Sequence, residues 1–523
     1  MPIRLVTVAV SGVLLSLSFE PAAIPWLIPL SLAGFILATR GLSTRGGLLV
    51  GAVFGATFYA IHIVWMQAVG LPAWIALSGL ETLFYAAMGA ISAHAQRRRW
   101  WPLWFAAAWT TAEVARSGWP LGGMPWGRLA FAVIDTPLAS ALPYVGAVAV
   151  SFLLALLSAQ LVLVALALRR GEHGWPALAA LAAICGAMTL PVLVPWSTEG
   201  DEGRTVQIAV VQGNVPGAGD DILLDFRKVT RNHVEATVAL ADDVAAGVVP
   251  RPDFVLWPEN STATDPFRDR ETNSGIRTAS TAIGVPILVG AIVDGGPNQV
   301  LNQGIVWDPE TEAGERYTKR HPVPFGEYIP ARAVFTRYNF FDRLRDVGRD
   351  MLAGTRDQPL MIAGVRVADA ICFDIAYDDG IRAQMREGAQ MLVVQTSNAT
   401  FIATKQIQQQ FAITRIRAIE TGRWTAVAST NGITGIIGPD GEVAEIAAPR
   451  TQDVLVHEVT LTDRLTPAMR VGLWSPWFFA GLALLGLVLA RRDTRSREPA
   501  VGAPTDDDAD LEADVETSAA GSA

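Results

Sequence analysis

The sequence predicts a polytopic α-helical membrane domain of about eight spans joined to a layered α/β domain. Three observations predict it. Charge is unevenly spread: of 41 Lys and Arg and 50 Asp and Glu in 523 residues, only 15 fall in residues 1–196, and none of those is lysine. That same region is a succession of apolar runs, and about 20 such residues suffice to cross a bilayer as helix. Beyond it, short β-branched runs alternate with helix-like stretches, the pattern of a layered α/β unit. With 51% hydrophobic residues the chain is too apolar for an ordinary soluble protein and for a disordered one.

The expected spans are 5–19, 22–39, 47–68, 71–93, 101–116, 140–168, 175–196 and 471–490. The first is short, but its basic region is only Arg4, and a polar turn at Glu20-Pro21 leads straight into the second run. It therefore reads as a retained helix rather than a cleaved leader. Arg4 precedes span 1, and Arg40 and Arg45, Arg97 to Arg99, Arg169 and Arg170, and Arg491 and Arg492 follow spans 2, 4, 6 and 8. All fall on one side, which the positive-inside rule assigns to the cytoplasm. Arg116 and Arg128 run against the trend. The expected organisation is a seven-span domain at 1–196, an extracytoplasmic domain at 197–468, a closing span at 469–492 and a disordered acidic cytoplasmic tail at 493–523. From Thr505 on, the tail carries seven acids and no base, which accounts for most of the net charge of −9. No basic patch points to nucleic acid.

In the 197–468 region the strand candidates are Thr205–Val211, Phe254–Trp257, Pro286–Val293, Val365–Cys372, Met391–Val394 and Trp424–Ser429. The helix candidates are 222–245, 269–283, 379–388 and 404–421. Gly438-Pro439-Asp440-Gly441 reads as a hairpin turn. No Walker-type loop and no G-x-G-x-x-G motif follows a strand, so no nucleotide cofactor is expected. Six scattered histidines form no close ligand set, which argues against a metal. The two cysteines make no disulfide framework. Cys185, inside an apolar run, reads as a buried packing residue.

Three strand-like runs end in reactive groups: Trp257-Pro258-Glu259, Tyr317-Thr318-Lys319 and Ile371-Cys372-Phe373-Asp374. A thiol needs to lose its proton to attack a carbonyl, and a carboxylate can take it. The tetrahedral intermediate then carries negative charge that an ammonium can hold. Glu259 as base, Lys319 as electrostatic clamp and Cys372 as nucleophile fill these roles. Lysine is rare here, with only Lys228, Lys319 and Lys405, so Lys319 runs against the chain's bias toward arginine. Each residue also has an ordinary reading: a helix N-terminal acid, a solvated lysine, a buried strand thiol.

Taken in order, Trp257-Pro258-Glu259, the segment from Tyr317 to Pro330 (with Lys319, His321, Val323-Pro324-Phe325-Gly326-Glu327-Tyr328) and Ile371-Cys372-Phe373-Asp374 resemble the nitrilase superfamily. Within it they are most similar to the apolipoprotein N-acyltransferase family. Val210 to Asn214, Thr396-Ser397-Asn398, Arg417 to Arg423 and Ser429 to Gly435 add to the likeness, which runs along nearly the whole chain. The resemblance implies a nitrilase-like αββα sandwich and a ping-pong reaction. An acyl chain would pass from a membrane phospholipid to Cys372 as a thioester, then to the free amine of a diacylglyceryl-cysteine lipoprotein. It also implies a supporting role for Glu327, with Phe373 and Asp374 standing where relatives often have Tyr and Glu. Ser397-Asn398-Ala399-Thr400-Phe401 departs from the Ser-Asn-Asp-Ala-Trp-Phe-Gly of many relatives.

Two aromatic segments could line a lipid path: Trp119 with Trp126 between spans 5 and 6, and Phe340 with Phe341 after the lysine motif. Their ordinary reading is packing. Two other functions stay open. One is a membrane-bound nitrilase-type amidase with water as acceptor. The other is a membrane scaffold for a polyprenol-phosphate mannose synthase, a candidate partner carried over from some relatives.

Overall fold

Unbroken apolar sequence folds the N-terminal region into seven helices: α1 (Pro2–Leu17), α2 (Leu27–Thr39), α3 (Thr44–His62), α4 (Leu71–Ala95), α5 (Trp101–Gly118), α6 (Leu142–Arg169) and α7 (Trp175–Leu193). The computed structural model describes residues 1–171, 174–196, 203–220, 225–335 and 347–495. Five of these helices carry proline in their first turn, where its missing N–H costs nothing. Ser43 caps α3, its hydroxyl accepting from Gly46 N. Helices α3 and α4 pack backbone to backbone. A Cβ on Gly51 would stand 2.1 Å from the Tyr85 carbonyl oxygen, and one on Gly89 2.3 Å from that of Gly47. Small residues allow this approach, which drives helix association where no hydrophobic effect operates.

Among the described residues, four stretches are long and apolar enough to cross a membrane: α3, α4, 137–169 and α7. The expected count of eight spans is not reached on that measure. Pro2–Leu17, Leu27–Thr39 and Ser475–Leu489 are apolar but shorter. Helix α5 has the length but buries Glu113 and Arg116. Cys185, expected to be buried, is exposed on α7. Arg116 and Arg128, which ran against the positive-inside trend, are also buried and engaged in bonds described below.

The second module is built of β1 (Thr205–Gln212), α8 (Phe226–Ala245), β2 (Phe254–Leu256), α9 (Arg270–Ile283), β3 (Ile287–Gly296), β4 (Gln299–Asp308), β5 (Glu312–Thr318), α10 (Arg332–Phe335), β6 (Asp350–Met351), β7 (Leu360–Ile362), β8 (Val365–Ile371), α11 (Asp379–Arg386), β9 (Met391–Thr396), α12 (Gln406–Thr421), β10 (Thr425–Ser429), β11 (Gly435–Ile437), β12 (Val443–Ile446) and β13 (Asp453–Thr460). Then come α13 (Pro467–Val471) and α14 (Ser475–Arg495). One sheet runs β13-β1-β2-β3-β4-β5, with β6 beside β4; the other runs β12-β11-β10-β9-β8-β7. Alternate residues such as Val206, Ile208 and Val210 meet Val365, Val367 and Ile371 between the sheets. Helices α8 and α9 cover the outer face of the first sheet. Helices α11 and α12 cover the second, giving an αββα sandwich. The Gly438–Gly441 turn joins β11 and β12 as expected, closed by Gly438 N donating to the Glu442 carbonyl.

Helix α12 lies between the second sheet and the membrane bundle, in one apolar core shared with Phe131 and Leu142. Its polar residues make the specific ties. Arg128, in the loop between α5 and α6, grips Asp378 with two bonds of 2.8 Å. Arg417 bonds the same carboxylate at 2.7 Å and also Glu420. Glu420 then accepts the Ala147 N–H at 2.8 Å. That N–H is free because α6 breaks at Gly146, where φ is 79°. Gln409 is similarly saturated. Its oxygen accepts the indole N–H groups of Trp65 and Trp126, and its amide donates to the Glu20 and His62 carbonyls. These bundle residues lie at or just beyond the C-terminal ends of α1, α3 and α5, opposite the end where Arg4 bonds the Arg40 carbonyl and Arg97 that of Leu42.

Removing the acid from a buried ion network leaves its cations unpaired and costs about 3–5 kcal/mol. Asp378→Ala is therefore expected to lower the apparent Tm of the detergent-solubilised protein well below that of wild type. A melting curve superimposable on wild type would refute the network's structural weight.

Candidate active site

The strands deliver three side chains to one place. Strand β2 runs through Trp257 to Glu259, β5 leads into Lys319, and β8 ends at Cys372. At Cys372 the chain turns with φ 53°, a left-handed conformation costly for a residue with a Cβ, and enters a short helical turn at 372–376. Glu259 and Lys319 are buried, at 3% and 1% exposure. Lys319 Nζ donates to Glu259 Oε1 at 3.2 Å and to Glu327 Oε1 at 2.6 Å. The Cys372 thiol is influenced by the Thr396 hydroxyl and by the charges of Glu259, Lys319 and Glu327.

Each carboxylate accepts further donors besides the ammonium. Glu259 Oε1 also accepts Asn302 Nδ2 at 2.7 Å, and its Oε2 accepts the Ser397 N–H at 2.8 Å. Glu327 Oε2 accepts the Val323 N–H at 2.7 Å. Burial alone would lower the Lys319 pKa, but Glu259 and then Glu327 hold it well above the ordinary lysine range. Burial, with Glu259 close by, pushes Glu327 up against the pull of Lys319. Burial, then Glu259, pushes the Cys372 thiol up to about 12, with Lys319 opposing. At neutral pH the resting thiol is protonated. A neutral thiol beside a carboxylate and a fixed ammonium suits attack in which the proton leaves as the S–C bond forms.

Asp374 acts as a brace. Its oxygens accept Tyr317 OH at 3.0 Å and the backbone N–H groups of Arg320 at 3.0 Å and His321 at 2.7 Å. It thereby ties the segment after Lys319 to the turn that carries Cys372. Phe373 stacks on Trp126 with centroids 5.6 Å apart and planes 18° from parallel, and meets Tyr377 edge-on. Trp126 is buried and held in place by Gln409; Arg116 Nη1 donates to the Met124 and Trp126 carbonyls. Trp119 is apart from this group, 69% exposed, with its ring edge-on to Phe84. Phe340 and Phe341 lie outside the described residues.

Asn302, Thr396, Ser397 and Gln409 were not singled out from the sequence as site residues. Thr396 and Ser397 belong to a recognised motif, so a signal existed. Asn302 and Gln409 are single polar residues whose importance arises only from what the fold brings to them.

Comparison with known proteins follows the same division. Residues 11–160 match the family model described as the apolipoprotein N-acyltransferase N-terminal domain, and residues 207–464 match that of carbon-nitrogen hydrolase. The chain is 36% identical to the apolipoprotein N-acyltransferase of Mycolicibacterium smegmatis, over 91% of this chain and 83% of that one. It is 31% identical to that of Azotobacter vinelandii, over 94% and 95%. A solved carbon-nitrogen hydrolase from Helicobacter pylori G27 aligns with a TM-score of 0.35 at 18% identity, covering 49% of this chain and 89% of that one.

A thiol with its pKa near 12 is alkylated faster at every step of rising pH. Iodoacetamide labelling of Cys372, read by peptide mass spectrometry, is expected to accelerate from pH 7 to 10 without a plateau. In Lys319→Met, where the opposing cation is gone, it slows further at each pH. A plateau near pH 8 would contradict the burial of the thiol.

Proposed function

This chain belongs to the apolipoprotein N-acyltransferase family, and on that premise we propose a mechanism in which Glu259, Lys319 and Cys372 carry an acyl chain between a phospholipid and a lipoprotein. It is a membrane enzyme, an N-acyltransferase whose catalytic module has the nitrilase-type sandwich. The observation that carries the residue assignment is the water-poor cluster of Glu259, Lys319 and Glu327 against the Cys372 thiol.

In the first half-reaction Cys372 Sγ attacks the ester carbonyl of a phospholipid, and its proton passes to Glu259. Lys319 stays cationic and faces the charge that develops on the carbonyl oxygen, an effect worth a few kcal/mol of barrier. The ester C–O bond breaks, and the departing lysophospholipid oxygen takes the proton from Glu259. In the second half-reaction the free amine of a diacylglyceryl-cysteine attacks the thioester. Glu259 receives the amine proton and returns it to the departing thiolate. Glu327 shares the ammonium and keeps it in register, and Asp374 braces the two loops.

Fusion of the sandwich to an apolar bundle suits such substrates, because moving a long acyl tail through water costs about 0.8 kcal/mol per CH₂. Trp119, Trp126, Phe340 and Phe341 are proposed to line the lipid's approach. We assign the sandwich to the extracytoplasmic side, with both termini cytoplasmic and eight membrane segments, the shorter apolar helices and α5 included. The bonded cluster of Arg4, Arg40 and Arg97 at the bundle end remote from Gln409 supports that orientation under the positive-inside rule.

Incubating the purified protein with phospholipid vesicles alone is expected to add one fatty-acyl mass to Cys372, labile to hydroxylamine and absent in Cys372→Ser. A lipopeptide bearing a free amine should then discharge it into N-acylated product. Release of free fatty acid with no acylated peptide would favour the amidase-type reading instead.

A further inference from the structure

Between the two sheets, a few residues from the reactive cluster, lies a carboxyl group that the mechanism does not use. Asp369 points from β8 into the apolar space where Val365, Val367 and Ile371 also point, and it is completely buried. Neither of its carboxylate oxygens has a hydrogen-bond partner among the described residues. Diagonally across on the neighbouring strand β9 stands Gln395, equally buried, whose Oε1 also has none. Both oxygens face one point beside Gly304 of β4. A Cβ there would stand 2.2 Å from Asp369 Oδ2 and 2.4 Å from Gln395 Oε1. Two acceptor oxygens thus converge on one spot where even a methyl group would not fit.

Two facing acceptors repel unless one carries hydrogen, and an amide oxygen does not. We propose that Asp369 is a positioning residue that stays protonated in the folded enzyme and donates its hydrogen to Gln395 Oε1. Burial, followed by the negative charge of Asp374, pushes its pKa well above the ordinary range against the opposing pull of the adjacent Ala370 N–H, with Glu259 adding to the rise. The charged groups that act on it, Asp374 and Glu259, are both anionic. Its other neighbours, Gln384 of α11, whose amide pairs with the Asp369 backbone, Gly304 of β4, and Tyr317 of β5, are neutral.

The bond has a structural purpose. With its oxygen engaged, the Gln395 amide is oriented so that Nε2 donates to the Trp257 carbonyl at 2.6 Å, two residues before Glu259. The next two residues after Gln395 are Thr396, whose hydroxyl acts on the Cys372 thiol, and Ser397, whose N–H holds Glu259. One proton on Asp369 therefore links the strand that carries the nucleophile, the strand beside it and the segment that carries the base. Ionising Asp369 turns the link into a repulsion and frees the Trp257 carbonyl.

The sign of the pH effect is fixed. A carboxyl with a raised folded-state pKa stabilises the fold fully only below the unfolded value, about 4, and that stabilisation is lost as pH rises toward the folded value. Asp369→Asn keeps a hydrogen donor toward Gln395 and cannot ionise. In the full-length detergent-solubilised protein, the apparent Tm of Asp369→Asn minus that of wild type is expected to grow with each step from pH 5 to 9. The infrared band of protonated carboxyls at pH 7 should be stronger in wild type than in Asp369→Asn by the intensity of one group. A difference in Tm that stays flat, or bands of equal intensity, would overturn the proposal. Neither readout depends on the acyl-transfer reading. For the positioning role, the alkaline fall in kcat of wild-type lipopeptide acylation should move to higher pH in Asp369→Asn, with KM unchanged. Identical pH profiles would mean that Asp369 serves packing only.

Discussion

A lysine ammonium taken out of water must find negative charge, and in this protein that requirement organises the catalytic module. Lys319 lies almost wholly buried, and Glu259 and Glu327 approach it from either side. Each carboxylate in turn needs donors for its remaining oxygens. Asn302, the Ser397 N–H and the Val323 N–H supply them. The chain of obligations runs through strands of both sheets, so the geometry of the reactive cluster is set by satisfying polar groups rather than by packing alone. Burial and then Glu259 also set the state of the thiol against the pull of Lys319, and sulfur waits protonated for a carbonyl to arrive.

The same logic joins the two modules. An apolar interface would permit sliding, because dispersion and hydrophobic burial have little directionality. Arg128, Asp378, Arg417 and Glu420 form a directional chain across it, and Gln409 uses both ends of its amide on bundle residues. Asp378 follows Cys372 by only six residues, and the carbonyls of Ile375 and Ala376 are held by Arg417. The nucleophile's turn is consequently anchored to the membrane bundle as well as to its own sheet. Trp126 stacked on Phe373 continues that anchorage to the residue next to the thiol.

Much of this was legible in the amino-acid order, for identifiable reasons. Strands β1, β2, β3, β8, β9 and β10 stand within a few residues of where β-branched runs placed them, because apolar alternation reports burial directly. Strands β4 and β13 were not read, and of β5 only its end at Tyr317-Thr318 was. Asn302, Gln303 and Gly304 interrupt β4 with the polar and small residues that the site needs, while β5 is rich in charge and β13 alternates valines with His457 and Glu458. The convergence of Glu259 and Lys319 was readable because each follows a strand-like run. Asp374's brace was not, since its donors are backbone N–H groups that only tertiary structure supplies. Charge in the bundle misled in another way. Arg116 and Arg128 look like topological signals but are consumed by internal bonds. Helix α5, counted as a span by length, gives part of its interior to Glu113 and Arg116. Cys185 faces outward because α7 is apolar all round and offers no distinct inner face to sequence reading.

The break in α6 bears on how such a molecule can be divided or recombined. The freed amide of Ala147 belongs to the bundle, yet its acceptor, Glu420, belongs to the sandwich. A bundle expressed alone would present raw peptide dipole to lipid, and a sandwich expressed alone would strand an acid beside Arg417. Swapping modules between relatives therefore has to transplant the glycine kink and the glutamate as one unit, wherever along the chain the cut is made.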